Sequence, residues 1–199
     1  MPNGQSLELI DYLKAEEIIA AFCLVGRRIP GNEEIVQRLD RDGHLMINHG
    51  ETHQAPHLMT EEEFLSDLQA FDVTMAKALN LSNWSSSYYR PPGGRWSKRT
   101  AKLVKESGRT LMPITFFAWD VLPFPSREKL ILKWLLSNMR RNDGRVFLLH
   151  EAVVPLRGEK LPAPPRNGRG WILPLLKKFV DQARAEGFRF ETPASIGIA

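Results

Sequence analysis

Cys23 is the only cysteine in 199 residues, so no disulfide can form within the chain and stability must come from packing and hydrogen bonding. No apolar stretch approaches the roughly 20 residues a membrane-spanning helix needs. The first residues, Met1-Pro2-Asn3-Gly4-Gln5-Ser6, lack a basic segment followed by an apolar one. No export signal is therefore legible, and the compartment stays open. There is no internal repeat and no low-complexity tract, so residues 1–199 read as a single domain. A basic stripe interleaved with aromatics, the footprint of a nucleic-acid surface, is also missing. Arg95, Lys98, Arg99, Lys102 and Lys105 make one helix-sized cluster, better read as a solvated helix face.

What is present is globular. Hydrophobic residues make up 43% of the chain, charged residues 25%, and the net charge is +4, a mild excess that suits anionic surfaces without choosing among them. A chain of this length can bury about 70% of the surface its unfolded form exposes, so a real core is available. Cys23 lies in the apolar run Ala20-Ala21-Phe22-Cys23-Leu24-Val25 and reads as a small core residue, since burial without a basic neighbour raises a thiol's pKa.

Periodicity predicts helices over residues 6–16, 32–42, 60–79, 97–107, 127–140 and 171–186. It predicts strands over 18–25, 44–48, 87–90, within 110–119, over 145–149 and over 188–191. Leu7, Ile10 and Leu13 form the first helical stripe behind Ser6 as N-cap; Ile35, Val36 and Leu39 form the second. Thr60 followed by Glu61, Glu62 and Glu63 is a strong helix start. Asp42-Gly43 and Gly108 are stops, Asn142-Asp143-Gly144 is a turn, and the proline-bearing stretch 158–168 is a loop. Helix and strand alternate about six times, which predicts an α/β fold with a parallel sheet covered by helices, open or closed into a barrel. Active sites in such folds lie at the C-terminal ends of the strands. The helical opening departs from the usual βα order.

The chemistry-capable residues fall at those strand ends. Four of the five histidines, His44, His49, His53 and His57, lie within one stretch. His49-Gly50-Glu51-Thr52-His53 follows a strand end, and two imidazoles four apart can share one metal if the segment makes a helical turn. His44 begins a strand and His57 lies beyond a proline, so neither is counted as a ligand. Arg90-Pro91-Pro92-Gly93-Gly94 follows the next strand, and an arginine fixed there suits orientation of a carboxylate or a substrate oxygen. Leu148-Leu149-His150 ends the penultimate strand, where a histidine can serve as general acid. Trp84, Tyr88, Tyr89, Trp96 and Trp119 could stack on sugar faces or simply pack.

In this order the segments resemble the polysaccharide deacetylase family (NodB homology, carbohydrate esterase family 4). Gly43 to His53 is similar to its metal-binding segment, Tyr89-Arg90-Pro91-Pro92-Gly93 to its arginine motif, and Leu148-Leu149-His150 to its final motif. The resemblance covers essentially the whole chain and implies a distorted (β/α) barrel. It implies a divalent metal, most often zinc, held by an Asp and two His, and removal of N-acetyl groups from a polysaccharide such as peptidoglycan or chitin-like chains. By that resemblance His49 and His53 are metal ligands, His150 is the general acid and Arg90 orients the base. Leu148 lines the acetyl pocket, with Pro92 and Trp119 beside the substrate.

Three departures qualify the match. The family's acidic Thr-Phe-Asp-Asp-Gly-Pro motif is absent from residues 1–199, with Pro2 falling where its proline would be; the expectation is a copy that lacks the first strand and both catalytic carboxylates. Gly50 replaces a Ser or Thr, so a supporting hydroxyl is expected to be lost. Pro125 stands where the fourth motif's Asp belongs, although Asp120 is nearby. Two histidines without a third protein ligand hold zinc weakly, and loss of a general base costs about 100- to 10,000-fold in rate. Two functions follow: a metal-dependent deacetylase, impaired by the missing carboxylates, or a non-catalytic carbohydrate-binding relative.

Overall fold

The computed structural model describes residues 4–112, 114, 116–117, 127–141, 146–150 and 171–192. These belong to two compact units, Leu13–Pro113 and Met1–Tyr12 with Ile114–Ile198. Among the described residues no helix is long and apolar enough to cross a membrane.

The first unit carries a four-stranded parallel sheet, β1 (Ala21–Leu24), β2 (Leu45–Asn48), β3 (Tyr88–Tyr89) and β4 (Thr110–Leu111), in sequential order. Phe22 pairs with Met46, Asn48 with Tyr89, and Tyr89 with Leu111. Each connection is a crossover through a helix: α2 (Glu33–Arg41), α3 (Glu61–Ala78) and α4 (Lys98–Glu106). This is the alternation the sequence predicts. The pairing of β1 with β2 continues past the strands. His49 N–H donates to the Leu24 carbonyl at 3.0 Å, and the Gly26 and Arg27 amides donate to the Gly50 and Glu51 carbonyls at 3.1 and 3.0 Å.

Helix α3 is the long element under this sheet. Thr60 closes a capping box: its hydroxyl accepts from Glu63 N–H at 3.2 Å, while Glu63 Oε2 accepts from Thr60 N–H at 2.7 Å. Such a cap contributes about 1 kcal/mol. Phe64, Leu68, Phe71 and Met75 follow at helical spacing and are all buried. Each full burial of such a side chain is worth about 1.5–3 kcal/mol. Phe64 and Leu68 pack with Met59, Tyr89, Leu103 and Val104; Phe71 and Met75 pack with Ile29, Val36 and Ala78. Trp84 packs against the second cluster, its ring 6.1 Å from that of Phe71, and so belongs to the core rather than to a sugar-stacking surface. Tyr89 is likewise buried, edge-on to Phe64 at 5.4 Å.

In the second unit lie most of α1 (Gly4–Ala15), β5 (Phe116–Phe117), α5 (Arg127–Arg141), β6 (Phe147–Leu148) and α6 (Ile172–Ala185), with β5 and β6 paired in parallel. Its core is a helix pair: Ile131, Leu135 and Met139 at four-residue spacing meet Leu175, Phe179 and Ala183 at the same spacing. Arg140 Nε donates to Glu186 Oε2 at 2.7 Å at the exposed rim of this pair.

Two strand expectations fail here, and Ser6, expected as an N-cap, lies inside α1. The one strand predicted within 110–119 is two, β4 and β5, in different sheets. Phe188 to Glu191 form no strand: Phe188 N–H continues from α6 to the Ala183 carbonyl at 3.0 Å, and Phe188 and Phe190 pack on the α5–α6 core. The alternation of those rings serves packing, not a ladder. The predicted turn at 142–144 and loop at 158–168 lie outside the described residues.

Candidate functional site

The site is built at the C-terminal ends of β2 and β3. His49 and His53 bring their rings to a centroid distance of 5.0 Å, edge to face at 63°. They do so without a helical turn between them: His53 sits in the left-handed region at φ +61. A residue with a Cβ pays about 1–2 kcal/mol for that conformation. The turn is therefore held by its surroundings.

Those surroundings can be named. Asn48 Oδ1 accepts from Gly50 N–H at 2.9 Å, and its Nδ2 donates to the Leu68 carbonyl at 3.2 Å. Asp67 Oδ2 accepts from Glu51 N–H at 3.0 Å; Oδ1 accepts from Thr52 N–H at 3.0 Å and from the Thr52 hydroxyl at 2.7 Å. Gly50 has φ +80, and a Cβ there would lie 2.7 Å from Asp67 Oδ2. Glycine is required both by the backbone and by the closeness of the carboxylate. No hydroxyl stands at position 50, as expected, while the Thr52 hydroxyl two residues on donates to Asp67.

His49 Nδ1 lies 2.6 Å from the Arg90 carbonyl oxygen. A carbonyl only accepts, so Nδ1 carries the proton, and in the neutral ring Nε2 carries the lone pair a metal needs. The bond also ties the histidine segment to the arginine motif. Arg90 N–H in turn donates to the Asn48 carbonyl at 2.9 Å. The Arg90 side chain is buried, at 7% exposure, with Nη1 3.4 Å from the Met112 carbonyl. Burial lowers its pKa, and among the described residues no carboxylate pairs with it. Pro92 is buried in the short turn Pro92–Gly94 that follows.

Glu51 turns away from the histidines. A Cβ on Gly26 would fall within 1.7 Å of its Oε2, so its carboxylate fills the space that glycine leaves. That oxygen has no hydrogen-bond partner, and burial pushes the Glu51 carboxyl up. Burial also raises the Cys23 thiol to about 11, against the opposing charge of Arg90. Cys23 is half-buried on β1 rather than fully enclosed as expected of a core residue, and so raised a pKa makes the thiol a poor nucleophile at neutral pH. His44 is buried beside Phe22, accepts at Nδ1 from Ala20 N–H at 3.2 Å, and has its pKa lowered by desolvation. It is a packing residue, and His57 is exposed beyond Pro56.

Whether a metal would fit can be judged from these donors. Two imidazoles at this spacing fit two positions of a zinc site, whereas a catalytic zinc takes three protein ligands. Among the described residues no group of three or more His, Cys, Asp or Glu is placed to hold an ion. Among the described residues the donor set is therefore partial. Leu148 and His150 are half-buried at the end of β6 in the second unit, and Trp119, Asp120 and Pro125 lie outside the described residues.

The sequence reading missed Asp67. The signal was available: Asp67 falls on the stripe Phe64, Leu68, Phe71 at helical spacing and is only 8% exposed, and a carboxylate on a buried stripe needs donors.

The sequence profile of the polysaccharide deacetylase family matches residues 1–112. A peptidoglycan-N-acetylmuramic acid deacetylase of Bacillus subtilis is 22% identical over 152 residues, covering 74% of this chain and 55% of the relative. The chain spans about half the length of the first curated relatives it matches. The crystal structure of a peptidoglycan N-acetylglucosamine deacetylase bound to a hydroxamate-type benzamide superposes with a TM-score of 0.75 at 21% identity, over 95% of this chain and 80% of that one. A carbohydrate esterase family 4 pseudoenzyme from Bacillus anthracis superposes with a TM-score of 0.71 at 16% identity, over 93% and 57%. The likeness to these structures is one of fold, the α/β fold with a parallel sheet predicted from the alternation. With its profile matched over more than half the length and its histidine and arginine segments at adjacent strand ends, the chain belongs to the polysaccharide deacetylase family.

Proposed function

We propose that this chain is a deacetylase module acting on an N-acetylated polysaccharide, peptidoglycan or chitin-like. The observation that supports this most is the 2.6 Å bond from His49 Nδ1 to the Arg90 carbonyl. It joins two of the family's motifs at neighbouring strand ends and fixes the tautomer a metal ligand requires. In this reading His49 and His53 hold a divalent metal of the zinc kind, which when bound would polarise the acetyl carbonyl and its attacking water. Arg90, a buried cation without a carboxylate partner among the described residues, orients an anionic or carbonyl group. His150 is assigned as the proton donor to the leaving amine, Leu148 to the acetyl pocket, and Pro92 and Trp119 to the substrate, all from the motifs they resemble.

A second reading is a non-catalytic carbohydrate-binding relative. Two observations favour it: the donor set among the described residues is partial, and a solved family member of the same fold is itself a pseudoenzyme. Acetate release from N-acetylglucosamine oligomers and from peptidoglycan, with added zinc, separates the two. Release that His150→Ala and His49→Ala both abolish supports the enzyme; glycan binding without release supports the binding module.

A further inference from the structure

We propose that Asp67 is a positioning residue for the histidine pair, the clamp that sets the shape of the turn between His49 and His53. The proposal rests on the reading of that pair as metal ligands. Its geometry is independent of it.

The turn is pinned from two sides. On the carbonyl side, the Gly50 and Glu51 oxygens accept from the Gly26 and Arg27 amides, an extension of the β1–β2 pairing. On the amide side, the Glu51 and Thr52 N–H groups both point at one carboxylate, that of Asp67, and the Thr52 hydroxyl joins them. A carboxylate accepting three donors is a strong, charge-assisted anchor, and it is carried on a rigid helix whose neighbouring residue, Leu68, receives the Asn48 side chain. Asp67 thus couples the position of α3 to the segment that turns His53 back beside His49. It touches neither ring; it acts through Glu51 and Thr52. The glycine at 50 belongs to the same device, because any side chain there would push against Asp67 Oδ2.

The test uses the full chain with Asp67→Asn and, as a milder variant that leaves the carboxylate in place, Thr52→Val. Backbone amide hydrogen exchange and zinc titration are read on each, with far-UV circular dichroism as the control for α3. The clamp predicts exchange at Glu51 and Thr52 faster by at least about tenfold in Asp67→Asn, with helical signal retained. It predicts zinc affinity about 10- to 100-fold weaker, the range typical of lost supporting contacts. Thr52→Val should show the same changes in smaller degree, and it decides the matter if Asp67→Asn does not fold. Unchanged exchange at Glu51 and Thr52 in a folded variant overturns the clamp. If the parent chain binds no zinc yet the exchange changes appear, the clamp stands and the metal reading falls.

Discussion

Helix α3 carries two acids little more than a turn apart, Asp67 buried and Asp72 half-buried, and they serve opposite ends of the same sheet. Asp67 faces the C-terminal ends of the strands, where it accepts from Glu51 and Thr52. Asp72 faces the N-terminal ends, where it pairs with Arg109, the residue just before β4; Arg109 also reaches Ser85 Oγ at 3.4 Å, ahead of β3. Every donor aimed at Asp67 comes from one short turn. The Asp72 pair is less complete: Asp72 Oδ1 and Arg109 Nε are both buried without partners, and burial pushes the Asp72 carboxyl up despite the guanidinium beside it. One acid shapes a turn that carries two histidines. The other fastens a helix to the far rim of the sheet, and nothing around it suggests chemistry. The lesson is that burial of a charge does not mark a site; what its donors belong to does.

Substitutions sharpen that contrast. The largest effect is expected at the structural end. Asp72→Ala leaves Arg109 buried and unpaired and should cost about 3–5 kcal/mol in urea unfolding, while zinc affinity of the folded protein stays unchanged. A matching loss of zinc binding would break the division between the two ends. Gly50→Ala puts a Cβ into the left-handed region and against Asp67, for a loss of about 1–2 kcal/mol with a marked fall in zinc affinity by calorimetry. Thr60→Ala removes the capping box of α3 and should lower stability by about 1 kcal/mol without touching zinc binding.

The smallest effect lies in the second unit. Hydrogen bonds from Arg140 and Gln182 hold the Glu186 carboxyl down at about 2. A depressed carboxylate adds stability above its unfolded value of about 4.3, and that contribution is lost as pH falls toward the folded value. Acid unfolding curves of Glu186→Gln should therefore converge with those of the parent below that window and separate above it. The separation should be small, because the pair is exposed.

Much of this was legible in the sequence, and the exceptions have physical causes. The strong amphipathic helices and their stops come out within a residue or two, since Thr60-Glu61-Glu62-Glu63 and Asp42-Gly43 are local signals. The parallel sheet follows from alternation alone. His49 and Arg90 follow strand ends as read from the sequence, with His53 just beyond, but the path between the histidines was left open there. A four-residue spacing suggests a helical turn, and only the Asp67 and Asn48 contacts, which are long-range, hold a left-handed residue at 53 instead. Phe188 to Glu191 misled for a similar reason: alternating rings look like a strand, and the α5–α6 core claims them. Asp67 itself was hidden as one charge within an apolar stripe.

His49 and His53 are proposed to form a metal centre. Calorimetric titration of residues 1–199 with zinc, run beside His49→Ala, tests it most directly. The account predicts one-to-one binding in the parent that is lost in the variant. No binding in the parent, or equal binding in both, would contradict it.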